Sequence, residues 1–183
     1  MEKTQEKIWT YDDYYQLDDD KRYEVIEGEL VEMSAAPRSI HQIILSNLSY
    51  ELIHYTRHKK IGRVLVSPLD VVFSATNSFQ PDLVFISNED QQIIDEKKIN
   101  GTPSLVIEIL SPSNPDHDKV RKFKIYEKFK VKEYWIIDPI GESIEIFCLE
   151  KDKLLSCCLV RDEQKLESKT FADLSISYND LLI

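Results

Sequence analysis

The 183-residue chain has only three cysteines, Cys148, Cys157 and Cys158. An odd count, one adjacent pair and no Cys-x-x-Cys spacing argue against a disulfide framework and a zinc site. All three are expected to be reduced packing residues. Long apolar runs are missing as well. Nothing approaches the ~20 residues that cross a bilayer, so no membrane association is expected. The opening residues, Met1-Glu2-Lys3-Thr4-Gln5-Glu6-Lys7, lack a basic-then-apolar leader pattern, which makes a cytoplasmic location the default expectation. Repeats, low-complexity tracts and linker-like segments are absent too. Together with the length, this points to a single domain over residues 1–183.

Positive charge is also in short supply. A formal net charge of -10 argues against indiscriminate nucleic-acid binding. The imbalance is uneven, however. Acids crowd residues 12–32, whereas residues 117–132 carry Lys119, Arg121, Lys122, Lys124, Lys128, Lys130 and Lys132. That stretch could face a phosphate backbone, and a solvated helix face is the plainer reading.

The most informative residues are acids placed where strands should be apolar. Residues 80–86 read Gln-Pro-Asp-Leu-Val-Phe-Ile and residues 104–110 read Ser-Leu-Val-Ile-Glu-Ile-Leu. By strand alternation Glu108 shares a face with Val106 and Leu110, while Leu105, Ile107 and Ile109 fill the other, so neither face is solvated. A buried carboxylate must find a cation, hydrogen bonds or a metal. Asp82 and Glu108 on neighbouring strands would offer hard oxygen ligands to Mg²⁺.

The rest of the pattern supplies a frame. A short helix is expected within residues 9–20, then a hairpin over residues 23–33 turning at Gly28. Ser39 and Gln42 make a capping-box signature opening a helix to about residue 60, with the apolar stripe Ile40, Ile43, Ile44, Leu48, Leu52 and Tyr55. Strands follow over 63–67, 69–74, 81–87 and 104–110, with residues 88–102 loop-like and a helical turn an option within them. Asn114-Pro115 starts a basic helix to about residue 130. A strand over 133–138, a hairpin over 143–160 and a short tail element over 171–182 complete the chain. A strand, helix, strand passage implies a parallel crossover, hence an α/β or α+β mixed sheet.

These residues resemble the PD-(D/E)XK nuclease superfamily, and within it the Uma2 family of restriction-endonuclease candidates. The matching stretches are Tyr23-Glu24-Val25-Ile26-Glu27-Gly28-Glu29-Leu30, His41, Pro68-Leu69-Asp70-Val71, Gln80-Pro81-Asp82, Val106-Ile107-Glu108-Ile109-Leu110-Ser111-Pro112-Ser113, Asp118 with Lys122 and Tyr126, and Glu133-Tyr134-Trp135-Ile136-Ile137-Asp138-Pro139. They span about residues 9–182, and their ordered set is the specific signal. The resemblance implies a restriction-endonuclease-like core, a central mixed sheet flanked by helices, with N-terminal and C-terminal β-hairpins. It also implies a Mg²⁺- or Mn²⁺-dependent endonuclease acting on phosphodiester bonds, with DNA as the expected partner and a homodimer an open option.

By that resemblance Asp82, Glu108 and the Ile109 carbonyl hold the metal, and Lys122 is the catalytic cation. The superfamily pattern puts a lysine two residues after the second acid. Leu110 stands there instead, so Lys122 is read as its replacement from the following helix. Asp70, His41 and Asp118 are further candidates, and Lys119, Arg121, Lys124 and Lys128 are candidate nucleic-acid contacts. Each has a plainer alternative. Asp82 could start a strand, Glu108 and Lys122 could form a structural ion pair, and Asp118 with Lys122 could be a helix-surface bridge. Two rival functions remain: a catalytically silent nucleic-acid- or protein-binding module that kept the fold, and a metal-free hydrolase using two carboxylates.

Overall fold

The structure, a computed structural model, describes residues 7–33, 38–111 and 117–183. Its described strands make two mixed sheets, one of six strands and one of five. In chain order they are β1 (Tyr23–Ile26), β2 (Glu29–Glu32), β3 (Gly62–Val66), β4 (Asp70–Ser74), β5 (Asn77–Phe79), β6 (Leu83–Ser87), β7 (Lys98–Asn100), β8 (Leu105–Ile109), β9 (Glu133–Asp138), β10 (Ser143–Glu150) and β11 (Lys153–Arg161). The six-stranded sheet runs β11-β10-β9-β8-β6-β3 and the five-stranded one β2-β1-β5-β4-β7. Both acid-bearing segments thus adjoin the same sheet, since β6 pairs antiparallel with β8 and β8 pairs parallel with β9.

The central strands of the six-stranded sheet, β6, β8 and β9, are buried on both faces. Leu105, Ile107 and Ile109 of β8 join one core with Ile44, Leu45, Leu48 and Leu52 of helix α2 (Ser39–Lys59). Val106 and Leu110 join a second with Ile26, Val71, Phe79 and Tyr126. Glu108 lies within this second core, between the two sheets. The expected stripe of α2 is rotated slightly, as Leu45 is buried and Ile43 is 44% exposed. The capping box does not form. Arg38 is the N-cap and offers no side-chain bond, because the helix begins one residue earlier than a Ser39 cap requires.

Local chemistry explains the sharp turns. Glu27 and Gly28 both have positive φ, at 52° and 82°, the backbone that a two-residue hairpin with the native twist demands. Helix α2 stops at Lys60, which is left-handed, and Gly62 then brings the chain against β6. A Cβ on Gly62 would sit 2.2 Å from the Ile86 carbonyl oxygen.

Three expectations change here. The strand expected over 69–74 forms as β4 but belongs to the five-stranded sheet, with the N-terminal hairpin. The loop-like stretch over 88–102 holds a helical turn, the 3₁₀ segment Asn88–Ile93, but also the short strand β7, which the sequence pattern does not predict. Cys148 and Cys157 are joined in a disulfide, and only Cys158 is free. A register shift in the β10–β11 hairpin leaves Cys157 outside the regular pairing and lets it reach Cys148, with Cα atoms 5.9 Å apart. An odd cysteine count excludes a fully paired framework, not a single bridge.

The expected helix start at Asn114-Pro115 lies outside the described residues. After it comes a π-helical segment, His117–Lys122, continuing into α3 (Phe123–Lys128). Trp135 and Tyr134 are fully buried core residues, and Asp138 accepts from the Ile140 N–H in the turn after β9.

Candidate active site

Glu108, Lys122 and a residue not singled out from sequence, Glu24, form one buried cluster. Lys122 Nζ lies 2.8 Å from Glu24 Oε1 and 3.2 Å from Glu108 Oε1. All three residues are at most 5% exposed. Glu24 reaches the cluster because it alternates with Ile26 on the inward face of β1. Its carboxylate also accepts from the Gln80 N–H at 3.2 Å. The Tyr126 hydroxyl donates to Glu108 Oε1 at 2.7 Å, and burial followed by the Glu108 charge pushes its pKa far above the ordinary phenol value. Lys122 is therefore not a helix-surface residue. Its depth follows from the helical segment placing it over the sheet while neighbouring Lys124 stays exposed.

Asp82 adjoins this cluster through the backbone of β8. It stands just before β6, and its Oδ2 accepts the Ile109 N–H at 2.8 Å. Its Oδ1 lies 3.1 Å from His41 Nε2. Within a strand the N–H and C=O of one residue point to the same edge, so the Ile109 carbonyl is directed to the Asp82 side. His41, in the first turn of α2, is 8% exposed, and its Nδ1 has no hydrogen-bond partner among the described residues.

The donors present are hard oxygens: the Asp82 carboxylate bound to the Ile109 N–H, the Ile109 carbonyl on the same edge of β8, and the carboxylate of the adjoining Glu108. That chemistry suits Mg²⁺ or Mn²⁺, which take few protein ligands and keep several waters. Among the described residues no group of three or more His, Cys, Asp or Glu forms a ready-made metal cage. Glu24 and Glu108 both reach the Lys122 ammonium, whereas Asp82 is held by the Ile109 N–H and His41.

Asp70 lies elsewhere. It accepts from Gln80 Nε2 at 2.9 Å and from the Tyr11 hydroxyl at 3.4 Å. Gln80 accepts from Arg22 and separately donates its backbone N–H to Glu24. Asp70 is thus two residues removed from Lys122 and buttresses Gln80. Burial raises its pKa, so the fold favours its protonated form. Its contribution to stability is greatest below the unfolded carboxylate pKa and declines as pH rises through the higher folded value. Asp70→Asn should remove that pH dependence and leave stability at neutral pH within about 0.5 kcal/mol of wild type or higher. Thermal melts between acid and neutral pH check this.

The nucleic-acid candidates divide. Arg121 is paired with Glu29. Lys124 and Lys128 are exposed, with no ion pair among the described residues. The side chains of Asp118 and Lys119 lie outside the described residues.

A mixed α+β core with an acidic, lysine-bearing centre at the ends of β6 and β8 defines a restriction-endonuclease-like protein. The chain belongs to the Uma2 family, whose model, described as "Putative restriction endonuclease", matches residues 11–179. A relative from Synechocystis sp. (strain ATCC 27184 / PCC 6803 / Kazusa), "Uncharacterized protein sll1609", is 29% identical over 143 residues, covering 76% of this chain and 80% of that protein. Among solved structures, one from Anabaena variabilis ATCC 29413, described as "a putative nuclease belonging to DUF820", superposes with a TM-score of 0.77. It covers 94% of this chain and 97% of its own at 20% identity, a likeness of fold.

Proposed function

We propose that the protein is a Mg²⁺- or Mn²⁺-dependent endonuclease that hydrolyses phosphodiester bonds, with DNA as substrate. The observation that carries this reading is the buried Glu24–Lys122–Glu108 cluster, linked through Ile109 to Asp82. Burying the Glu24 and Glu108 carboxylates costs several kcal/mol in general and is poorly returned as stability alone, so the arrangement favours a site over a scaffold.

Asp82, Glu108 and the Ile109 carbonyl would hold the cation. When bound, the cation supplies Lewis acidity at the scissile phosphate and acidifies a water. Lys122, tethered by Glu24 and Glu108, provides a fixed positive charge beside the phosphoryl group, where negative charge develops during displacement. Tyr126 keeps Glu108 oriented by donating to it. Exposed Lys124 and Lys128 would contribute charge along the bound backbone.

Leu110, in place of the strand lysine, motivates the alternative of a silent binding module. Incubating supercoiled plasmid and single- and double-stranded oligonucleotides with Mg²⁺, Mn²⁺ or chelator separates the two. The nuclease reading expects nicking that chelator abolishes. Tight nucleic-acid binding with no cleavage under any metal supports the silent module.

A further inference from the structure

We infer that His41 is a positioning residue that fixes the Asp82 carboxylate for cation binding. The inference rests on the metal-site reading above. Helix α2 packs on the face of β8 that carries Leu105, Ile107 and Ile109, opposite to Glu108. His41 therefore reaches Asp82 from the side of the sheet that the other site residues do not occupy. Its Nε2–H donates to Oδ1 at 3.1 Å, while the Ile109 N–H donates to Oδ2 at 2.8 Å. Both carboxylate oxygens are pinned, and each retains a free lone-pair direction for a cation.

The rest of the histidine makes poor sense as scaffolding. It is 8% exposed, and its Nδ1 is buried without a partner among the described residues. Buried polar atoms are normally satisfied because leaving one bare is costly. A leucine would extend the apolar surface of Ile44, Leu45 and Leu48 without that cost. The contact to Asp82 is what the ring gains, in the way outer-shell partners orient the ligands of metal sites.

The test is calorimetric titration of Mn²⁺ into wild type, His41→Leu, His41→Gln and His41→Asn, with thermal melts of each. The Gln amide reaches about where Nε2 stands, and the Asn amide falls short. His41→Leu should melt at or above wild type yet bind Mn²⁺ ~10–100-fold more weakly, and His41→Gln should bind close to wild type. If the leucine variant does not fold, the comparison of Gln with Asn decides, with weaker binding expected for Asn. Equal Mn²⁺ affinity in wild type, Leu and Asn variants would overturn the assignment of His41 while leaving the metal site standing. A wild type that takes up no Mn²⁺ would overturn both.

Discussion

Replacing Lys122 with methionine should lower the stability of the protein by about 3–5 kcal/mol, the usual consequence of removing one partner from a buried ion pair. Lys122 is 4% exposed and stands between Glu24 and Glu108. Without it, the buried Glu24 and Glu108 carboxylates would lose the ammonium they share. Lys124→Met, two residues along on the exposed side, should change stability by no more than about 0.5 kcal/mol. Mn²⁺ should restore part of the stability lost in Lys122→Met, because a cation that binds only the folded state stabilises by mass action. Denaturant melts of both variants with and without Mn²⁺ check this. A Lys122→Met protein as stable as wild type would mean that the buried pair does not act as the geometry indicates.

Glu108→Gln should reduce metal-dependent cleavage by at least ~10²–10³-fold, the scale of losing one electrostatic contributor to a transition state. The fold should persist, since Gln still accepts from the Tyr126 hydroxyl, which lies 2.7 Å from Glu108 Oε1. Lys122 keeps Glu24 as its partner at 2.8 Å. The same preparation should therefore give a native melt and lose activity. Cleavage at the wild-type rate by Glu108→Gln would assign that carboxylate to scaffolding.

Part of this arrangement was legible in the sequence. Glu108 interrupts a strand that is apolar on both sides, which leaves no solvated position for it. Asp82 follows Pro81 at the head of a neighbouring strand, and the family pattern directs attention to Lys122. Glu24 was not legible. It sits in a four-residue strand among Glu27, Glu29 and Glu32, and nothing local separates one buried acid from its solvated neighbours. Its partner is 98 residues away, in another element. The one usable signal was alternation with Ile26.

The second sheet was obscured for a related reason. Strands β5 and β7 have three residues each, too few for a period to show, and they exist through pairing with β4 and β1. The Cys148–Cys157 bridge depends on a bulge in β10–β11 pairing, which residue counting cannot reveal. The role of His41 likewise needed the fold, because its contact comes from a helix 41 residues from Asp82 in the chain.

Calorimetric titration of Mn²⁺ into wild type and Asp82→Asn tests the central claim most directly. The account predicts a saturable, weak signal for wild type, because few protein ligands leave the ion largely hydrated. It predicts that signal to be lost or severely weakened in Asp82→Asn, while the variant melts as a folded protein. Equal heats for the two proteins, or no uptake by wild type, would contradict a cation site at Asp82 and Glu108.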